Sequence, residues 1–323
     1  MRSLASIIAL LGTLALATAS AAQQAPALPY KPHAVKSADG VTLAVQEWGN
    51  PTGRGILFIH GFSQASLSWS RQVQGELAKE FRMVTFDLRG HGGSDKPLVP
   101  EAYRESRRWA DDIDAIMKQV GLRKPVLVGW SYGGRVMNDY LTHYGDGAIG
   151  GLNYVAATST GKPGALGIGG KLIPPMTSED LATNIEGTRK FLVACFKIQP
   201  SAEDMATALA FNMLVPAKVR AFMGGRPADY DAVLAKIKVP VLVTQGREDL
   251  LVLVPMSEHT LSVVKHAKGA FYDGIGHAPF YEATDRYNAD LAAFVLIAGQ
   301  SAACPIPPEH AEVNTSDGEK QAA

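Results

Sequence analysis

The sequence is poor in cysteine. Its 323 residues hold two, Cys195 and Cys304, so at most one internal disulfide is available. An oxidising compartment permits that pair; the alternative is a buried thiol at Cys195 and an unpaired tail residue at Cys304. Charge of one sign is also missing. With 31 basic and 31 acidic residues the formal net charge is +0. No basic stripe appears along the chain, which excludes nucleic acid or an anionic surface as a natural partner. No clustered metal-ligand spacing and no dinucleotide fingerprint after a first strand can be found, so neither a metal nor an organic cofactor is expected. Charged residues at 19 % and aromatics at 8 % leave an ordinary globular composition, with length enough for one large domain and a sizeable core.

The N-terminal apolar run, Leu4 to Ala17, follows a basic Arg2 and is shorter than the ~20 residues a membrane span needs. Ala19-Ser20-Ala21 or Ser20-Ala21-Ala22 offers a small-residue cleavage site. Residues 1–22 therefore read as a signal peptide of an exported protein, periplasmic or secreted, with no stable membrane anchor. No cysteine stands at the cut, which excludes a lipoprotein.

From residue 23 the chain alternates. Ala34 to Ser37 and Val41 to Trp48 read as strands joined by an Asp39-Gly40 turn. Short continuous apolar runs at Gly55–Ile59, Met83–Phe86, Val126–Val128 and Gly151–Ala157 have the character of strands buried on both faces. Helical spacing falls at 66–80, 109–120 and 136–144. The alternation stops at Thr158. A Gly/Pro-rich lead, 161–175, is followed by three amphipathic stretches near 178–196, 202–214 and 216–223, the first two capped by Ser178 to Asp180 and Ser201 to Asp204. Alternation resumes with strands at 239–245 and 269–272 and helices at 255–267 and 280–297. The expected organisation is thus a core in two parts, 23–157 and 236–300, a helical cap inserted at 158–235, and a polar, Pro-rich tail at 301–323. Repeated β–α alternation predicts an α/β fold: a mostly parallel sheet covered on both faces, its functional loops at the C-terminal strand ends.

One of those strand ends carries Gly129-Trp130-Ser131-Tyr132-Gly133-Gly134 between a buried strand and a helix. G-x-S-x-G in that context forces a tight turn that exposes the serine hydroxyl, and the helix start supplies the Tyr132 N–H. A nucleophilic serine needs a base, and the base needs an orienting acid. Of eight histidines, His33 and His310 lie in the lead-in and tail, and His143, His259 and His266 within helices. His60 and His91 precede the serine, in loops they are placed to shape. His277 stands in a glycine-rich loop after the last strand, the position for the base. Asp249 follows the strand ending at Gln245 and is the candidate acid; its neighbour Glu248 is the alternative, read as solvent-facing. The stretch Ala156 to Thr160 offers no carboxylate. Arg89 and Asp95 read as structural.

Taken in order, His60-Gly61, Asp87 to Asp95, Gly129 to Gly134, Gly246-x-x-Asp249 and Gly276-His277 resemble the α/β-hydrolase fold, from about Val41 to Ile297. The chain is most similar to its capped branch of carboxylesterases, cofactor-free haloperoxidases (perhydrolases) and proline iminopeptidase-like enzymes. The resemblance implies Ser131 as nucleophile, Asp249 as acid and His277 as base, an oxyanion hole from the N–H groups of Phe62 and Tyr132, no metal and no cofactor. It implies hydrolysis of small to medium, fairly apolar esters, with perhydrolase, lactonase or aminopeptidase activity as alternatives on the same residues. A non-catalytic binder would have no need of all three. Epoxide hydrolases and haloalkane dehalogenases carry Asp where Ser131 stands, which disfavours their chemistry. No acidic cluster in the cap stands ready for a substrate ammonium. Trp69, Trp130, Phe191 and Phe222 are candidate pocket residues, with core packing as their alternative role.

Overall fold

The computed structural model describes residues 28–301. The expected signal peptide, the expected tail beyond Ser301, and Cys304 lie outside them. Eight strands form one sheet: β1 (Lys31–Lys36), β2 (Thr42–Gly49), β3 (Gly55–Ile59), β4 (Arg82–Phe86), β5 (Val126–Trp130), β6 (Gly151–Val155), β7 (Val241–Gly246) and β8 (Lys268–Tyr272). Their order is β1-β2-β4-β3-β5-β6-β7-β8. The pairs β1–β2 and β2–β4 are antiparallel, and every later pairing is parallel. Burial follows the sequence pattern. Every residue of β5, β6 and β7 is buried, as continuous apolar runs require. On β2 only Leu43 and Val45, two apart on one face, are buried.

The chain leaves β3 toward β4 on one side, and returns to β5 before continuing outward on the other. The loops after β3 and β5 therefore separate to opposite faces and leave a crevice between adjacent strand ends, where open parallel sheets place their sites. The helices Ser106–Val120 and Tyr132–Tyr144 pack together against one face of the sheet. Two expected helices are interrupted. The stretch from Ser66 becomes three short turns, Ser66–Trp69, Ser70–Val73 and Leu77–Glu80, because Gly75 weakens its middle. The C-terminal helix is split at Ala283 into Pro279–Glu282 and Thr284–Ser301.

Between β6 and β7 the chain makes five helices: Gly169–Met176, Leu181–Ala194, Ala202–Met213, Ala217–Met223 and Asp231–Leu234. The first corrects the expectation of an irregular Gly/Pro lead. It holds Pro174 and Pro175 in its last turn and survives because its end is packed: Met176 is buried, and Gly187 of the next helix lies directly on Pro175. A buried Arg220 guanidinium ties four pieces of the insertion, donating to Met176 O, Asn184 Oδ1, Thr188 Oγ1 and Asn212 O. The caps are side-chain bonds: Thr183 N–H donates to Asp180 Oδ2 at 2.8 Å, and Asp204 N–H to Ser201 Oγ at 3.1 Å.

Candidate active site

Ser131 caps the helix that follows β5, with φ 54° and ψ −113°. A side chain rarely tolerates that conformation, which costs on the order of 1–3 kcal/mol and persists only where its surroundings over-determine it. They do so here. The Ser131 N–H donates to Val155 O, and its carbonyl accepts from Gly134 and Thr158 N–H, each at 3.0 Å. The flanking glycines answer a close approach: a Cβ on Gly133 would lie 2.5 Å from Ile59 O, and one on Gly129 2.8 Å from the Gly133 carbonyl carbon. Strand β5 thus turns into a helix pressed against β3.

His277 and Asp249 meet across the ends of β7 and β8. His277 Nδ1 lies 2.7 Å from Asp249 Oδ2, with both side chains buried. A carboxylate can only accept, so Nδ1 carries the proton and Nε2 is left as the acceptor. Asp249 is itself fixed, its Oδ1 accepting Leu251 and Val252 N–H at 2.8 and 3.0 Å and its Oδ2 accepting Gln245 Nε2 at 3.2 Å. Glu248 is exposed. The imidazole loop is brought to the serine turn by Trp130, whose Nε1 donates to His277 O at 2.8 Å and whose ring lies 5.6 Å from the imidazole.

A carboxylate with no assigned role holds the same loop. Glu282 accepts the N–H groups of Gly276 and Ala278, on either side of His277, and those of Lys197 and Ile198 from the insertion, at 2.8–3.3 Å. His277 N–H donates to Cys195 O at 3.1 Å. Cys195 is buried, and its thiol is pushed up by burial and by the charges of Asp249 and Glu282. The signal for Glu282 was only its spacing five residues after His277, and sequence reasoning passed it over.

Phe62 and Tyr132 face each other from neighbouring strand ends, their rings 6.4 Å apart. Tyr132 opens its helix, so its N–H has no acceptor within it. The Phe62 N–H has none among the described residues. The loop carrying Phe62 runs against the serine: a Cβ on Gly61 would lie 3.2 Å from Ser131 Cβ. His60 shapes that loop. Its Nε2 accepts Leu88 N–H at 3.0 Å while Nδ1 donates to Gly61 O at 2.8 Å, and burial pushes its pKa down to about 4, so it stays neutral. His91 is likewise neutral by burial and bonds Arg89 O. Arg89 is wholly buried between Asp112 and Asp39. Asp95 accepts Thr42 N–H.

Residues 56–290 match the alpha/beta hydrolase family. The chain belongs to that family. Among solved structures it is similar to a Burkholderia cenocepacia protein provisionally described as an aryl esterase, at 39 % identity over 84 % of this chain and 100 % of that one, TM-score 0.81. It is also similar to the esterase RhEst1 from Rhodococcus sp. ECU1013, at 30 % identity over 82 % and 98 % of the two chains, TM-score 0.77. Among curated proteins, the bifunctional esterase/perhydrolase DCH of Acinetobacter calcoaceticus is 26 % identical over 81 % of this chain and 98 % of its own.

In this hydrolase a cleft of about 240 Å³ opens over Ser131. Its core wall is Phe62, Tyr132, Arg135, Thr158, Leu251 and Val252; its other wall comes from the insertion, including Leu166, Ile173, Phe191 and Met223. Of the four aromatic residues singled out in the sequence, Phe191 alone lines this cleft. Trp69 is wholly buried between Phe58 and Phe280. Trp130 lines a separate cavity of about 80 Å³, its indole N–H spent on His277. Phe222 stacks on Tyr103, and its neighbour Met223 takes the place in the cleft. Leu251 and Val252 escaped sequence reasoning although they follow Asp249 directly. Among the described residues no group of His, Cys, Asp and Glu is arranged to hold a metal ion.

Proposed function

We propose that the chain is a serine hydrolase cleaving carboxylic esters of small to medium, fairly apolar substrates. The observation that carries this reading is the 2.7 Å His277–Asp249 pair, its loop bonded to Trp130, the residue before a serine that is held at φ 54° and lines a largely apolar cleft. In the proposed mechanism, His277 Nε2 takes the Ser131 proton as Oγ attacks the ester carbonyl, and Asp249 stabilises the imidazolium. The Phe62 and Tyr132 N–H groups receive the oxyanion, each worth about 3–4 kcal/mol in the transition state. His277 then protonates the departing alcohol, and water activated by the same imidazole releases the acid from the acyl-enzyme. Peroxide taking the place of that water would yield a peracid, a second reading supported by the bifunctional esterase/perhydrolase relative. Export, proposed from residues 1–22, is checked by locating the protein after cell fractionation.

The test is hydrolysis of a p-nitrophenyl ester chain-length series by the mature protein and by Ser131→Ala. A peak at one chain length, with kcat lowered about 10⁶-fold in the variant, is expected from the loss of a triad nucleophile. A folded wild type that cleaves no ester and takes no covalent label from a serine-directed phosphonate would overturn the reading. Peracid formation when peroxide is added separates the two activities.

A further inference from the structure

The cleft holds a positive charge that ester hydrolysis leaves unused. Arg135 is the fourth residue of the Tyr132–Tyr144 helix and lines the cleft with Ser131, Phe62, Thr158 and Met223. Helix geometry places its Cα roughly 6 Å along the axis from that of the serine. Its Nη2 donates to the carbonyls of Arg226 and Pro227 at 2.6 and 2.7 Å. Among the described residues Nε has no partner, no hydrogen bond uses Nη1, and no carboxylate forms an ion pair with the side chain. The nearby carboxylate, Asp139, is already taken: Arg226 pairs with it and Tyr230 donates to it at 3.1 Å. Two guanidinium groups against one carboxylate leave one positive charge in excess. No residue lining the cleft is acidic.

The position adds to this field. The first turn of a helix favours acidic side chains, and a cation there adds to the positive end of the helix dipole instead of offsetting it. Arg220 shows what a purely structural arginine looks like in the same molecule. Among the described residues its Nε is also unpartnered and no carboxylate pairs with it, but it is wholly buried, lines no part of the cleft, and its guanidinium donates to four acceptors. Arg135 is half-buried, spends one nitrogen on the backbone, lies with its guanidinium carbon 5.3 Å from the Tyr132 ring centroid, and is, among the described residues, the one charged residue lining an otherwise largely apolar cleft.

We propose that Arg135 makes this cleft select mono-anionic esters, substrates with a carboxylate a few bonds from the scissile carbonyl, such as half-esters of dicarboxylic acids. The proposal rests on the ester-hydrolase reading and names the substrate class of that site. In a cleft with low-dielectric walls such a carboxylate gains a charge-assisted hydrogen bond that a neutral ester of the same length does not.

The experiment compares wild type, Arg135→Met and Arg135→Lys. Charge on the acyl side is read from monoethyl glutarate against ethyl pentanoate, and charge on the alcohol side from 4-acetoxybenzoate against phenyl acetate. For at least one pair, the anionic-to-neutral ratio of kcat/KM should fall about tenfold or more in R135M, the size of one charge-assisted hydrogen bond, mainly through KM. R135K should keep most of the preference, since it keeps the charge while losing the Nη2 that bridges the two carbonyls. The same ratios in wild type and R135M, or R135K behaving as R135M does, would overturn the proposal and leave Arg135 a brace for the Arg226–Pro227 turn. Should wild type cleave none of the four esters, the ester-hydrolase reading is decided separately by the p-nitrophenyl series and the phosphonate label. Calorimetric binding of monoethyl glutarate to S131A then decides the charge selectivity, supporting it if R135M abolishes binding and sinking it if binding is unchanged.

Discussion

The two walls of the cleft are built differently. On the core wall each group is fixed by short bonds to strand ends: Ser131 through three backbone partners, Asp249 through four donors, His277 through Asp249, Trp130 and Cys195. On the insertion wall Leu166, Ile173, Phe191 and Met223 come from separate segments and meet the cleft as apolar side chains. On the proposed reading, one wall has the directional bonding that chemistry demands, and the other has the non-directional packing that lets substrate preference vary. Two of the polar seams that join them stand out. Arg226 reaches from the insertion to Tyr132 Oη at 2.8 Å and to Asp139. Glu282 gathers the His277 loop and the Lys197–Ile198 segment.

If the seams belong to the rigid side, cutting them should cost most. Arg226→Met strands a wholly buried carboxylate, so stability at neutral pH should fall by about 3–5 kcal/mol, read from urea unfolding. Burial pushes the Asp139 carboxyl up in spite of Arg226. A carboxyl raised in the folded state adds stability below its unfolded pKa and loses it as pH climbs through the folded one. The R226M deficit should therefore shrink as the solution is acidified. A deficit that did not change with pH would point to lost packing instead.

Glu282→Gln comes next. The amide keeps the shape but sets an NH₂ against backbone donors, leaving some unpaired at about 1–3 kcal/mol each. We expect kcat to fall about 10–100-fold with KM changed less than about threefold, because the proposed base is displaced while the cleft is not. A rise in KM alone would place Glu282 on the insertion side of the comparison.

The smallest effect belongs to the apolar wall. Phe191→Ala should move the preferred ester chain length upward and change kcat/KM by less than about a hundredfold, the scale of a few methylene contacts. Phe222→Ala should leave the chain-length profile in place. Equal shifts in both variants would mean that the insertion wall responds as one body.

This division explains what could be read from the sequence. The placement of the candidates Ser131, Asp249 and His277 at strand ends was legible because the loops that carry them are constrained by backbone geometry: Gly129 and Gly133 by close approach, the Asp249 turn by its own N–H donors. The parallel sheet was legible because β5, β6 and β7 are buried on both faces and are mostly apolar, the polar exceptions Asn153, Thr244 and Gln245 being hydrogen-bonded inside. The pocket aromatics were not, since identity does not say which way a side chain points. Trp69 and Trp130 are as apolar as Phe191 yet face the core and the base loop. The Gly169–Met176 helix was hidden because its Pro174 and Pro175 report local preference, while tertiary packing against Gly187 decides the outcome. Arg226 was missed because its partner Asp139 lies 87 residues away in the chain, and Glu282 because the contact that ties it to the insertion, at Ile198, lies 84 residues away while its near partners are backbone N–H groups of no particular sequence.

The Trp130 indole, one residue before the serine and bonded to the carbonyl of His277, has an optical consequence. Four tryptophans are present in the chain. With the other three replaced by phenylalanine, the remaining emission would come from a fluorophore 5.6 Å from the imidazole. Protonated imidazole quenches indole, so the light itself would report on the proposed base, in the resting protein and without any substrate.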